Sequence, residues 1–187
     1  TLYYPIAAVT RIIPSEIEFR AESEAQAEKA LKIVADNAHD ASIASTQLVY
    51  TASSSENLPI EYSIGSQKGD AEYEKILRTP SFECMSASDY QMLLHHQGKE
   101  NEAAGLLPLE DGECILVKYE PNGDGGTEQG ETYILDADRP IALTVKDMTL
   151  LNPIGFANSV ATLIVSDGIY DELAGSGLQS TRVISIN

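Results

Sequence analysis

Short apolar runs alternate along this chain with stretches whose apolar residues fall three and four apart. Ile12 to Arg20, with Ile13, Ile17 and Phe19 set between polar neighbours, predicts a strand. Ser23 with Gln26 opens a helix whose Ala27, Ala30, Leu31, Val34 and Ala38 form one stripe, ended by Asn37 to Asp40. Ala44 to Ala52 reads as a returning strand and Ile60 to Ile64 as a short one, with turn chemistry at Ser53 to Asn57 and Gly65 to Gly69. Ala71 to Leu77 predicts a short helix stopped by Pro80. Ser81–Met85, Glu113–Tyr119, Tyr133–Leu135, Ile141–Val145, Val160–Val165 and Thr181–Ile186 predict further strands, while Thr149 to Asn158 has no readable pattern.

Two of the predicted helices share a spacing. Ser86, Tyr90 and Leu93 run to Gly98, and 80 positions later Ser166, Tyr170 and Leu173 run to Gly175. Each set follows one apolar run and precedes another, so each reads strand, helix, strand. The serine is a natural N-cap. Asp89 completes a capping box in the first copy, and Asp167 places a negative charge on the first turn of the second. Tyrosine and leucine three apart share a helix face, and glycine suits the left-handed residue that ends a helix. The segment from Ile17 to Tyr50 is a third strand-helix-strand unit without that spacing.

Strands alternating with short helices predict an α+β fold of α/β-like units, with mixed, partly parallel sheets and the helices on one face. A length of 187 residues fits a single domain over 1–187 or two lobes, 1–80 and 81–187. The longest clean apolar run, Val160 to Val165, suits a buried strand and is far too short to span a bilayer. Thr1 in place of an initiator methionine suggests a processed or excised piece. Leu2 to Ile6 suits either a segment leaving a membrane interface or an ordinary first strand.

Charge narrows the partners. With 12 basic and 29 acidic side chains the net charge is −17, which repels nucleic acid and anionic headgroups and attracts cations. Solubility alone explains the same number. If attraction is functional, the acids should cluster, and Glu110, Asp111, Glu113, Glu120, Asp124, Glu128 and Glu131 are close in sequence. Cys84 and Cys114 flank the first Ser-Tyr-Leu helix, so parallel pairing of their two strands would allow a disulfide; two separate buried thiols are the alternative.

Candidate chemistry is sparse. Glu120 to Glu131 places oxygen donors Glu120, Asn122, Asp124, Glu128 and Glu131 with glycine at the sixth position, the layout of an EF-hand loop. Its flanks read as strands, and a solvated hairpin tip explains the same residues without calcium. His95 and His96, adjacent in the last helical turn, point about 100° apart and suit the helix dipole better than a shared metal. His39 ends another helix in the same way. There is no nucleophile elbow around Ser66, no phosphate-binding glycine loop and no Cys-x-x-Cys. No catalytic residues, cofactor or enzymatic activity are expected.

Met85 to Leu94, then Gly98-Lys99, then Leu109-Glu110-Asp111-Gly112-Glu113 leading into Cys114 to Val117, resemble the large extracellular domain of FtsX-like ABC transporter permeases. The nearest pattern is the bacitracin-export, antimicrobial-peptide-resistance type. There a Ser-x-Ser-Asp-Tyr helix ending in Gly-Lys precedes a strand that starts Leu-x-x-x-Glu. Ile164 to Tyr170 resembles that family's second Val-Ser-Asp-x-x-Tyr element. The likeness is specific over Phe82 to Leu173; the cysteines and the glycine-rich loop within that span are not part of the family's pattern. It implies a non-catalytic domain at the extracellular face of the cell membrane, carried between transmembrane helices of its parent permease. Such a domain binds or gates an antimicrobial peptide, lipid or lipoprotein and couples to a cognate ATPase, often beside a sensor kinase. The alternative is a free-standing secreted or lipid-anchored binding module, with or without calcium.

Overall fold

The computed structural model describes residues 17–54, 58–64, 72–78, 81–101, 103–117, 130, 132–149, 151, 152, 154 and 161–187. Its elements run β1 (Ile17–Ala21), α1 (Glu24–Asp36), β2 (Ile43–Ser54), β3 (Leu58–Ile64), β4 (Glu72–Arg78), β5 (Ser81–Ser86), α2 (Ala87–His96), β6 (Glu113–Val117), β7 (Thr132–Asp136), β8 (Ile141–Thr149), β9 (Ala161–Val165), α3 (Asp167–Gly175) and β10 (Gln179–Ile186). The mixed sheet of eight strands with three short helices is an α+β arrangement.

β2 organises this sheet because its 12 residues serve two sets of neighbours. Residues 43 to 51 pair antiparallel with β10, which pairs in turn with β1. Its last residues pair with β5 on one side and with β7 on the other. The order β1-β10-β2-β5-β9-β6-β8-β7 therefore closes on itself, and β2, β5, β9, β6, β8 and β7 form a six-stranded ring. Inside the ring lie Phe82, Cys84, Cys114, Leu116, Tyr133, Leu135, Leu143, Leu163 and Val165, with Leu173 of α3 packed against them. On the outer face Val49, Met85, Ile115, Ile164 and Val183 meet Tyr90, Leu93 and Leu94 of α2. The helices are thus shared between the two faces, since each of β5 and β9 hands its chain to a different side. β1 and β2, which precede residue 80, are paired to β10 and β5, which follow it.

The α1 stripe packs Ala27, Ala30 and Leu31 on Ala21 and Ile184. The Ser23 side chain accepts from the Gln26 amide at 3.3 Å, while the Gln26 carboxamide accepts from the Glu22 amide. Arg182 of β10 pairs with Glu24 and ties the helix start to the sheet.

Three expectations need correction. Residues 72 to 78 form β4, a strand paired antiparallel with β3 in a separate two-stranded sheet. A helix this short has little stability of its own, and the neighbouring strand offers a full ladder instead. β5 and β6 do not pair: β9 lies between them, parallel to β5 and antiparallel to β6. The left-handed residue after α3 is Gly177 at φ +64°, whereas Gly175 is still helical; Gly98 takes that role after α2 at φ +65°.

Candidate binding crevice at the helix N-termini

β5 and β9 are adjacent and parallel, and each ends in the serine that starts a helix. Because α2 turns to the outer face and α3 to the inner one, their first turns diverge and leave a crevice at the carboxyl ends of the two strands. The crevice has a volume of 310 Å³, with Ala87, Ser88, Gln91, Leu107, Pro108, Leu109, Ser166 and Asp167 around it.

Ser86 Oγ accepts from the Asp89 amide at 3.0 Å, and Ser166 Oγ accepts from the Ile169 amide at 3.3 Å. Tyr90, Leu93 and Leu173 are buried and Tyr170 is half-buried. The two tyrosine hydroxyls do equivalent work on opposite faces: Tyr90 donates to the Leu151 carbonyl at 3.1 Å and Tyr170 to the Leu48 carbonyl at 2.5 Å.

The crevice carries negative charge. Asp167 accepts from both the amide and the hydroxyl of Ser88, and Asp111 accepts from the Ser166 hydroxyl at 2.7 Å. Both carboxylates sit where the partial positive charge of a helix start favours an anion. Burial pushes the Asp89 carboxyl up, the Ser86 hydroxyl pulls it back, and Asp167 raises it again by repulsion. Further out, the Glu110 amide and then the Lys146 ammonium hold Glu113 below the ordinary carboxylate range. The helix starts are therefore already occupied by the protein's own acids, and what the crevice offers an incoming ligand is acid beside the apolar Leu107, Pro108 and Leu109.

Of the acids expected to cluster, Glu110, Asp111 and Glu113 fall in one short stretch leading from this crevice into β6. Glu120, Asp124, Glu128 and Glu131 lie outside the described residues, as does Asn122, so every donor of the calcium-type loop does. Among the described residues no group of three or more His, Cys, Asp or Glu side chains is placed to hold a metal. The contacts between the two repeat units, from Asp167 to Ser88 and from Asp111 to Ser166, were not readable beforehand. They depend on which strands are neighbours.

Cys84 and Cys114 are free and fully buried inside the ring. Cys84 pairs with Leu163 and Cys114 with Val165, so the two strands are separated by β9. Two strand spacings are about 10 Å, beyond the Cα reach of a disulfide. Burial pushes both thiols up, Cys114 to about 12, and this removes them as nucleophiles at neutral pH.

No family model matches the chain, and no curated protein matches it in sequence.

Proposed function

We propose that this chain is a non-catalytic extracellular domain of an FtsX-like ABC transporter permease. In this reading it presents the crevice between α2 and α3 to a cationic substrate, such as an antimicrobial peptide, and couples to ATPase-driven motion of the parent. The observation that carries it is a crevice that sets one acid, Asp167, beside apolar surface while its serines are engaged in structure: Ser166 caps α3 and Ser88 donates to Asp167, leaving charge and apolar surface for recognition. A lysine or arginine side chain would lay its stem along Leu107 and Leu109 and set its head beside Asp167.

Attachment to a membrane also suits the geometry. Ile17 and Ile186 are direct partners, so the chain enters and leaves the described fold side by side. Ile43 completes that row across β10, and both Ile17 and Ile43 are exposed, an apolar edge fit to lie near lipid.

The test is binding of a cationic peptide to the wild type and to a Glu110→Gln, Glu113→Gln variant, at low and physiological salt. Affinity should fall severalfold with the substitutions, and again as salt shortens the screening length to about 8 Å. Equal, salt-independent affinities would sink electrostatic capture. A full-length chain without hydrophobic segments on both sides of this one would sink the permease reading.

A further inference from the structure

The crevice does not end at Gln91. Beyond it lies a second hollow, of 130 Å³, between the end of α2 and the segment that follows, with Leu94, Glu100, Ala103, Ala104 and Gly105 around it. Gln91 and Leu107 border both hollows, so the two form one groove with a waist at that pair. The second hollow is of a size for one side chain, since pockets that enclose a whole small ligand start at about 300 Å³.

Helix periodicity sets the direction of the groove. Ser88, Gln91 and His95 are spaced by three and then four positions, so they share one stripe of α2. A carboxylate stands at each end of that stripe. Asp167 accepts from Ser88 at the start. At the finish Glu100 Oε1 is 3.7 Å from His95 Nδ1, beyond hydrogen-bond reach. At 1.5 Å per residue, the rise from Ser88 to His95 sets the two acids about 10 Å apart along the helix. The floor between them is apolar: Leu94 is 1% exposed and Ala103 7%, and Leu107 packs on the same cluster. Lys146, at the rim, donates to the Pro108 carbonyl at 2.8 Å and is paired with Glu113 at 3.2 Å, so its charge is balanced.

Along the groove the order is acid, apolar floor, acid, with a carboxamide at the waist. Gln91 carries both a donor and an acceptor and can bond one peptide unit crossing it. An extended chain advances about 3.3 Å per residue, so three residues cover about 10 Å. The flexible stems of lysine or arginine take up the remaining mismatch and lie on apolar surface as they do so.

We infer that this groove reads spacing as well as charge: its ligand is an extended peptide with two basic side chains three or four residues apart and apolar residues between them, one base set at Asp167 and the other at Glu100. The inference rests on the cationic-substrate reading above and narrows it. Long-range attraction to an acidic surface depends on the total charge of the ligand. A groove with an acid at each end also separates peptides of equal charge.

The test is calorimetric titration of the full chain, at physiological salt, with three synthetic peptides of equal length. One has two lysines three residues apart, one has two adjacent lysines, and one has a single lysine; the other residues are apolar or neutral. The spaced peptide should bind about two- to fivefold more tightly than the adjacent one, the range of one further exposed ion pair. Glu100→Gln, at an exposed position, should erase that preference and leave the single-lysine peptide unchanged. Ala104→Lys, which sets a base in the second hollow at another exposed position, should erase it as well. Equal affinities for the spaced and adjacent peptides overturn the inference, and so does a preference that survives both substitutions; cationic capture then stands without the groove. Binding by none of the three peptides removes the groove and the cationic-substrate reading together.

Discussion

The carboxylate of Asp167, at the first position of α3, accepts from both the backbone amide and the hydroxyl of Ser88 in the first turn of α2. One repeat unit thus closes the helix start of the other. Asp167→Ala should destabilise the fold by about 1 kcal/mol in urea unfolding, because the contact is exposed and water can replace part of it. A double-mutant cycle with Ser88→Ala should return most of that as coupling. Strictly additive losses would mean that Asp167 acts only on its own helix.

The two tyrosines give a pH prediction. Burial is the main reason the Tyr90 phenol is raised, to about 12, and it pushes Tyr170 up as well. A phenol with a raised pKa favours the folded state fully below its unfolded value near 10, and that contribution is lost as pH rises through 10 toward 12. Ultraviolet titration should show these two ionising only with alkaline unfolding. Tyr90→Phe and Tyr170→Phe should each cost about 1 kcal/mol at neutral pH, the value of one part-buried hydrogen bond. A phenylalanine variant as stable as wild type at pH 7 would remove the pinning role.

For the cysteines the expectation is silence. Neither Cys84 nor Cys114 should react with a thiol reagent in the native state, and both should react once denatured. Mass spectrometry without reductant should give the mass of two free thiols. A mass lower by two hydrogens would contradict the separation imposed by β9.

What the sequence revealed was local. Ser23, Ser86 and Ser166 were legible as caps, and Tyr90 with Leu93 as one buried face, because these depend on residues three or four apart. The placement of β9 between the cysteine strands was not, since Val160 to Val165 is equally apolar beside any neighbour. Ala71 to Leu77 suggests a helix because its apolar ends and the intervening charges fit both periods, and only the pairing of residues 72 to 78 with β3 decides for a strand. The ion pair between Arg20 and Glu83 was invisible for a related reason. Glu83 lies between Phe82 and Cys84 in an apolar strand, and its partner Arg20 is 63 residues away.

Two glycines, one in the first turn of α3 and one just past its end, separate conformational strain from crowding. Gly177 has φ +64° with open space where a Cβ would go, so Gly177→Ala is penalised only by the left-handed backbone, about 1 kcal/mol. Gly168 has an ordinary helical backbone, but an added Cβ would sit 3.3 Å from Asp111 Oδ1. The carboxylate must then yield a few tenths of an ångström, and the 2.7 Å bond to Ser166 can lengthen by that much and remain a hydrogen bond. Helix propensity favours alanine over glycine by up to about 1 kcal/mol, less in a first turn. The gain outweighs the shift, so Gly168→Ala should stabilise by about 0.5 kcal/mol while Gly177→Ala destabilises. Paired unfolding curves decide it: a loss at Gly168 of the same size as at Gly177 would mean that Asp111 is held rigidly, and that its contact with Ser166 is worth more than the helix gains.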